Sequence, residues 1–194
     1  MFIEPHIDSY SSKNRPNAGW IEVICGPMFS GKTEELIRRL NRALIAKQHV
    51  EIFKPKIDNR YHEYNVVSHN ETAIRSTPVW FADDILLLSG ECDVVGIDEA
   101  QFFDRALIEV VKKLANSGKR VILAGLDMDF EGKPFGVMPD IMAIAEFVTK
   151  VHSICMKCGA IAHYSYRLED AKETVLVGEA QAYEARCRKC YYED

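Results

Sequence analysis

The chain has 194 residues, of which 47% are hydrophobic and 27% are charged, and its formal net charge is −5. This composition suits a globular protein of one domain, with room for a small appendage. Proteins that coat nucleic acid present basic surfaces, so the acidic balance argues against nucleic acid as a partner. No apolar run approaches the roughly 18–20 residues that span a bilayer, and the chain starts without a signal-peptide pattern. We therefore predict a cytoplasmic protein with no membrane partner, whose cysteines are not paired in disulfides.

The elements predicted along the chain alternate between strands and helices. Residues 1–18 are polar and rich in Ser, Asn and Pro, which indicates a flexible N-terminal arm. Short apolar runs typical of buried parallel strands occupy residues 20–25, 50–55, 93–98 and 120–126, and a weaker strand is predicted near 73–76. Amphipathic patterns predict helices over residues 33–47, 81–88, 103–116 and 139–145. In the first helix Leu36, Leu40 and Leu44 recur on one face. The alternation indicates an α/β fold, a parallel sheet flanked by helices.

A glycine-bounded loop joins the first strand to the first helix. Its residues match the pattern G-x-x-x-x-G-K-[ST] and are Gly26, Pro27, Met28, Phe29, Ser30, Gly31, Lys32 and Thr33. Such a loop curls so that its backbone N–H groups point at phosphate oxygens, and the helix N-terminus adds positive potential. Lys32 reaches the β- and γ-phosphates, and the Thr33 hydroxyl can ligate Mg²⁺. The other interpretation is an ordinary glycine turn before a helix, which chance produces in below roughly 1% of chains of this length.

Two neighbouring acids follow the third predicted strand. Asp98 ends an apolar run, where an unpartnered carboxylate is costly, and in phosphate-loop folds this position holds Mg²⁺. The alternative role for Asp98 is to cap the next helix. Glu99 is placed to take a proton from an attacking oxygen, which is water in an ATPase or a substrate hydroxyl in a kinase. The dipeptide alone leaves both reactions open.

Four cysteines near the end of the chain form two C-x-x-C pairs. Cys155 and Cys158 are separated from Cys187 and Cys190 by 28 residues, 159–186. Two such pairs supply the four sulfur ligands of a structural Zn²⁺ and leave no open position for catalysis. A pair of redox dithiols, or four unconnected buried cysteines, are the alternatives. Residues 162–168 alternate as an exposed hairpin strand does, so we predict a small second unit over residues 148–194.

The motifs in combination closely resemble the zinc-bearing cellular and bacterial (type II) thymidine kinases. The resemblance rests on GPMFSGKTEELIRRL, DNRYH, GIDEAQFF, GLDMDF, PFG, GEAQAYEARC and the cysteine pairs, and it runs from about Ile21 to Cys190. It implies a P-loop (RecA-like) ATP-binding domain over residues 19–147 and a zinc-binding lasso domain over 148–194. It implies transfer of the γ-phosphate of ATP to the 5′-hydroxyl of deoxythymidine, and also of deoxyuridine, in nucleotide salvage for DNA synthesis. A homotetramer that thymidine triphosphate inhibits is implied as well.

The resemblance also implies roles for individual residues. Glu99 corresponds to the general base, Arg60 to an arginine near the transferring phosphoryl group, and Lys32 to a catalytic phosphate ligand. The positions implied to bind ATP are Gly26, Pro27, Met28, Phe29, Ser30, Gly31, Lys32, Thr33, Asp98, Glu99, Ala100 and Gln101, with Thr33 and Asp98 serving Mg²⁺. The positions implied to surround the nucleoside are Met28, Asp58, Phe102, Leu126, Phe130, Phe135, Ser165, Leu176, Gly178 and Tyr183.

The chain departs from the family pattern at three positions. Cys190 stands where relatives often have histidine, Ser165 where some have threonine, and Leu176 where some have valine. All three substitutions are compatible with zinc binding and with the activity. The competing functions are a P-loop ATPase that uses Glu99 to activate water, and a zinc-knuckle binding module with a regulatory nucleotide switch. The chain lacks the N-K-x-D segment that a GTPase switch needs.

Overall fold

A computed structural model describes residues 19–56, 65–66, 74–168 and 182–193. The predicted arm of residues 1–18 and four predicted site residues, Asp58, Arg60, Leu176 and Gly178, lie outside these ranges. In chain order the elements are β1 (Trp20–Cys25), α1 (Lys32–Ile45), β2 (Val50–Pro55), β3 (Asn65–Val66), β4 (Ile74–Arg75), β5 (Thr77–Val79), α2 (Ala82–Leu88), β6 (Val94–Ile97), a 3₁₀ helix (Ala100–Phe102), α3 (Ala106–Asn116), β7 (Arg120–Gly125), α4 (Met138–Ile144), β8 (Phe147–Lys150), β9 (Ser153–Ile154), β10 (Ile161–Ala162), β11 (Tyr164–Arg167), β12 (Tyr183–Arg186) and α5 (Arg188–Tyr192).

A six-stranded sheet with the order β5-β2-β6-β7-β1-β8 forms the centre of the structure. Every pairing within this sheet is parallel. Side chains of β1, β6 and β7 are buried almost throughout, as expected for strands covered on both faces. The predicted α/β fold is confirmed. Because the strands are parallel, the loops that follow β1, β6, β7 and β8 all leave from one edge of the sheet.

Helices cover both faces of the sheet. Helix α1 packs alone among the described helices on one face, where Leu36 and Leu40 meet Ile24, Ile52 and Ile122. Helices α2, α3 and α4 cover the other face. Each fully buried leucine contributes about 1.5–3 kcal/mol through removal of apolar surface from water. Leu44, on the predicted face of α1, lies in the last turn of the helix and is 43% exposed. Within the described residues no helix is both long and apolar enough to cross a bilayer.

Two strands of the central sheet were missing from the prediction, β5 and β8. Strand β8 pairs with β1, and the predicted unit boundary after residue 147 falls inside it. Its four residues alternate between half-buried and exposed, so β8 lacks the apolar run that marks the inner strands. The division of the chain into an arm and two units stays a prediction. Helix α3 begins at Ala106 rather than at residue 103, because the backbone of Phe103, directly after the 3₁₀ helix, is extended, with φ −76° and ψ 158°.

The cysteine-bearing part of the chain forms two small antiparallel pairs, β9 with β10 and β11 with β12. The predicted hairpin strand is present as β11, but three of its four side chains are buried, not exposed. These side chains are buried by tertiary contacts. Tyr164 stacks on Tyr191 of α5, with ring centroids 4.3 Å apart, and the hydroxyl of Tyr191 donates to the carbonyl of Phe130. The hairpin is therefore packed against the loop that follows β7.

A buried ion cluster joins β1 to its neighbours. Glu22 Oε1 lies 2.6 Å from Nε of Arg120 in β7, and Glu22 Oε2 lies 2.7 Å from Nη1 of Arg39 in α1. Arg39 also donates to Thr149 in β8 and to Glu35. Burial acts to raise the pKa of Glu22, but Arg120 and Arg39 lower it below its ordinary value of 4.5. The Glu22 carboxylate thus joins β1 to β7 and α1, and Arg39 extends the cluster to β8.

We predict that Glu22→Gln destabilises the protein by about 3–5 kcal/mol, because the buried guanidinium groups of Arg120 and Arg39 lose the charge of the carboxylate that they share. Urea unfolding followed by circular dichroism measures the change. The matched control is Glu109→Gln, which removes an exposed carboxylate paired with Lys112 on α3 and should leave the unfolding midpoint unchanged.

The wild type and Glu22→Gln can also be compared as a function of pH. Because the pKa of Glu22 in the folded protein is lowered, the contribution of its charge to the free energy of unfolding is fully present above pH 4.5. That contribution is lost as the pH falls through the pKa of the folded protein. The stability difference between the wild type and Glu22→Gln should therefore be constant above pH 4.5 and narrow below it. A difference that stays constant into the acid range would contradict an ionised Glu22.

Candidate active site

The loop of residues 26–33 has the backbone shape of a phosphate cradle. Gly31 has a φ of 78° and Phe29 a φ of 61°, both in the left-handed region. A methyl group at Gly26 would lie 2.2 Å from the carbonyl oxygen of Val151, so only glycine fits there. The Nζ of Lys32 donates to the carbonyl of Pro27 at 2.7 Å, which places the ammonium group inside the curl of the loop. This arrangement supplies backbone donors and one cation to an anionic group.

Asp98 lies directly beside the start of α1. The Thr33 hydroxyl donates to it, with Oγ1 3.2 Å from Oδ2, and the backbone N–H of Glu99 donates to Oδ1 at 3.0 Å. Burial, followed by the nearby charge of Glu99, raises the pKa of Asp98 to about 7. Burial also lowers the pKa of Lys32, against the attraction of Glu99 and Asp98. A hydroxyl and a carboxylate thus meet at the edge of the phosphate loop, and oxygens of this kind are the ligands that Mg²⁺ prefers.

The carboxylate of Glu99 is held in place by Gln101. The side-chain amide of Gln101 donates to Glu99 Oε2 at 2.6 Å, and its carbonyl oxygen accepts the backbone N–H of Leu126 at 2.9 Å. Glu99 itself has a φ of 52°, a left-handed conformation that turns the chain from β6 into the 3₁₀ helix. Only 3% of Gln101 is exposed, so the amide is fixed by packing as well. The arrangement presents a fixed carboxylate at the end of β6, next to Asp98.

Seven of the ten predicted nucleoside contacts lie in described residues: Met28, Phe102, Leu126, Phe130, Phe135, Ser165 and Tyr183. The rings of Phe102 and Phe135 meet edge to face, with centroids 5.6 Å apart. The backbone N–H of Met28 donates to Ser165 Oγ at 3.0 Å, so the hairpin contacts the phosphate loop directly. The role of these residues in binding a nucleoside stays a prediction.

The four cysteines of the two C-x-x-C pairs come together as the sequence predicts. Their sulfur atoms all lie within 4.8 Å of one another. A tetrahedral zinc site with Zn–S bonds of about 2.3 Å places its sulfurs about 3.8 Å apart, so small adjustments complete the shell. Burial acts to raise the pKa of Cys155, but backbone N–H groups of Cys187, Cys158 and Lys157 lower it to about 6. The cluster can hold a metal ion, and an all-sulfur donor set of this size suits zinc.

The sequence analysis missed the interactions of three residues around the site, Gln101, Asp127 and Arg167. Gln101 was placed only among the phosphate-binding positions, and its contact with Leu126 spans 25 residues. Asp127 forms an ion pair with Lys150, with Oδ2 and Nζ 2.6 Å apart, beside the end of β1. Burial, and then the charge of Asp127, raises the pKa of Cys25 to about 11, which keeps this thiol neutral and unreactive.

Arg167 contacts two predicted nucleoside residues, Phe130 and Tyr183. No local sequence pattern predicts these contacts, because the two residues of each contact are far apart along the chain. Arg167 and Tyr183 become neighbours only when β11 and β12 pair.

Comparison with known proteins identifies the family. A family model described as thymidine kinase matches residues 19–191. The chain belongs to the thymidine kinase family. A thymidine kinase from Rhodothermus sp. (strain ITI 518) is 62% identical over 175 residues, which cover 90% of this chain and 82% of the relative. A thymidine kinase from Bacteroides thetaiotaomicron is 58% identical over 191 residues, covering 98% and 94%. The predicted family resemblance is confirmed.

One solved structure has a fold similar to that of this chain. The flagellar accessory protein FlaH from Methanocaldococcus jannaschii aligns with a TM-score of 0.51 at 15% identity and covers 75% of this chain and 76% of its own. At that identity the likeness concerns the fold alone. It agrees with the predicted α/β fold, a parallel sheet flanked by helices.

The cysteine cluster leads to a prediction about metal content. We expect about one zinc ion per chain in the purified protein, and loss of that zinc in Cys187→Ser, because a serine hydroxyl is a poor substitute for thiolate. Atomic absorption measures the zinc. Cys92→Ser is the matched control, because Cys92 is buried beside the sheet and lies outside the cluster. Stoichiometric zinc in Cys187→Ser would show that the four sulfurs are not the ligands.

Proposed function

We propose that this protein is an enzyme that transfers the γ-phosphate of ATP to the 5′-hydroxyl of deoxythymidine, giving thymidine monophosphate and ADP. The observation that carries the proposal is the carboxylate of Glu99, held by Gln101 next to Asp98. Membership of the thymidine kinase family supports the choice of acceptor. Deoxyuridine, which lacks only the 5-methyl group, is a second proposed substrate.

The phosphate loop binds the triphosphate of ATP. Its backbone N–H groups and the N-terminus of α1 surround the phosphates, and Lys32 moves its hydrogen bond from the Pro27 carbonyl to a phosphate oxygen. Mg²⁺ bound with ATP neutralises charge on the β- and γ-phosphates, and Thr33 and Asp98 are the residues that would hold it. Ala100 and Gln101 complete the proposed ATP-binding set. Arg60, outside the described residues, is proposed to contact the transferring phosphoryl group.

Glu99 accepts the proton of the 5′-hydroxyl as that oxygen attacks the γ-phosphorus. A general base acts well only when its oxygen is fixed within hydrogen-bond reach of the proton it takes. The short contact from Gln101 supplies that fixation and leaves the other carboxylate oxygen of Glu99 to the substrate. Since Gln101 is itself fixed by the backbone N–H of Leu126, a proposed nucleoside residue, the base and the nucleoside pocket share one support.

The nucleoside pocket is proposed to lie between the loop after β7 and the C-terminal hairpin. Phe102 and Phe135 form an aromatic pair there. Phe130 and Tyr183 supply further rings. Met28 belongs to the phosphate loop and donates its backbone N–H to Ser165, and Leu126 donates its backbone N–H to Gln101. The segment with Leu176 and Gly178 is proposed to close over the base as a lasso. Asp58 completes the set.

The proposal also covers the zinc site, the oligomeric state and the regulation of the enzyme. Zinc is structural, because four sulfur ligands leave no position for a substrate. It joins the two ends of the segment 159–186 and so supports the lasso at its base. A cytoplasmic homotetramer, active in nucleotide salvage for DNA synthesis and inhibited by thymidine triphosphate, is proposed from the family resemblance.

A P-loop ATPase that activates water with Glu99 is the alternative function. The family match does not favour it. Incubation of the protein with Mg-ATP and a panel of nucleosides decides between the two. We expect thymidine monophosphate and ADP in equal amounts, and weak ATP turnover without nucleoside. Rapid turnover without nucleoside, or phosphorylation of purine nucleosides alone, would contradict the proposed reaction.

We predict that Glu99→Gln lowers kcat by roughly 10²–10⁴, because the amide keeps the size of the side chain but cannot accept the hydroxyl proton. The KM for ATP should stay close to that of the wild type, since the phosphate loop is unchanged. Steady-state kinetics with both substrates near saturation measures the effect. Glu51→Gln is the control, because Glu51 is an exposed residue of β2. Wild-type turnover in Glu99→Gln would assign the base to another residue.

A further inference from the structure

Arg167 lies between two aromatic residues of the proposed nucleoside pocket. Its Nη2 donates to the hydroxyl of Tyr183 at 2.7 Å, and its Nε lies 3.2 Å from the same oxygen. The carbon at the centre of the guanidinium lies 3.8 Å from the centroid of the Phe130 ring. Only 9% of Arg167 is exposed, so water competes little with either contact.

The two contacts join different parts of the fold. Phe130 belongs to the loop that follows β7 of the central sheet, whereas Tyr183 begins β12 and pairs with Arg167 across the hairpin. A guanidinium is planar, so one face stacks on a ring while its edge donates hydrogen bonds in the same plane. The position of the Phe130 ring relative to the Tyr183 hydroxyl is therefore set by one rigid group.

The backbone of Phe130 has a separate anchor. Tyr191 donates its hydroxyl hydrogen to the Phe130 carbonyl at 2.7 Å. This contact holds the loop but leaves the phenylalanine side chain free to rotate about its own bonds. Stacking by Arg167 restricts the ring itself. Arg167 thus restricts the orientation of the Phe130 ring, whereas the Tyr191 contact restricts only the Phe130 backbone.

We propose that Arg167 is a positioning residue that holds Phe130 and Tyr183 in the arrangement that binds the nucleoside. The inference rests on the proposed function, in which these two rings contact deoxythymidine. Neither contact involves the phosphate loop or Glu99. Loss of Arg167 therefore weakens binding of the nucleoside and leaves ATP binding and the chemical step intact.

The test is Arg167→Lys, which keeps the charge but removes the planar face and the paired donors. The KM for thymidine should rise roughly ten-fold, a change that corresponds to about 1.4 kcal/mol of lost binding. The kcat and the KM for ATP should stay within about two-fold of the wild type. Zinc content should not change. Arg188→Lys is the matched control, because Arg188 is an exposed arginine of α5 whose guanidinium lies 5.4 Å from the Tyr164 ring, away from Phe130 and Tyr183.

A second variant keeps the proposal testable if Arg167→Lys folds poorly. Tyr183→Phe keeps the ring and removes the oxygen that Arg167 contacts, and it should also raise the KM for thymidine. Because both changes break the same hydrogen bond, their combined effect should be smaller than the product of the single effects. A wild-type thymidine KM in either variant, or equal increases for thymidine and ATP, overturns the positioning role. A wild-type protein that phosphorylates no nucleoside contradicts the proposed function itself and this role with it.

Discussion

The site depends most on the buried ion pairs that the Glu22 carboxylate forms with Arg39 and Arg120. A buried carboxylate is costly in free energy, and this one is retained because Arg39 and Arg120 both pair with it. Glu22 lies in β1 and Arg39 in α1, the two elements that the phosphate loop connects. The cluster therefore fixes the strand and the helix relative to each other. The curl of the loop between them then follows from its two ends and from Gly26, where the Val151 carbonyl leaves no room for a side chain.

The proposed active site is built where the central sheet and the cysteine-bearing hairpin meet. The hairpin contacts the phosphate loop through Ser165 and the loop after β7 through Arg167, and Tyr191 of the adjoining α5 contacts that second loop as well. A metal ion bound by the four cysteines would support more than the segment between them. Because Cys187 and Cys190 lie at the start of α5 and within it, such an ion would also position Tyr191 and the aromatic residues stacked around it. The proposed phosphate site and the proposed nucleoside site therefore lie on different parts of the chain, which contact each other through Met28 and Ser165.

Much of the site could be predicted because its chemistry is encoded in short contiguous segments. The phosphate loop, the pair Asp98 and Glu99, and the two cysteine pairs each carry a recognisable spacing, and the inner strands carry apolar runs. The residues that support them could not be predicted. Arg39 has the sequence context of a solvated helix residue, yet it is fully buried, because its partner Glu22 is brought to it by folding. Strand β8 was missed because a half-covered edge strand has too few apolar residues to stand out.

The place of β8 at the edge of the sheet bears on how the enzyme can be divided for study. A fragment that ends before β8 would keep the phosphate loop but expose one side of β1, whose backbone groups now pair with residues 147–150. A long, apolar strand with an open edge invites pairing with another copy and so aggregation. It would also lose the hydrogen bond from the Val151 N–H to the Cys25 carbonyl, next to the loop itself. A soluble nucleotide-binding fragment therefore has to extend through Val151, into the segment that leads to the cysteines.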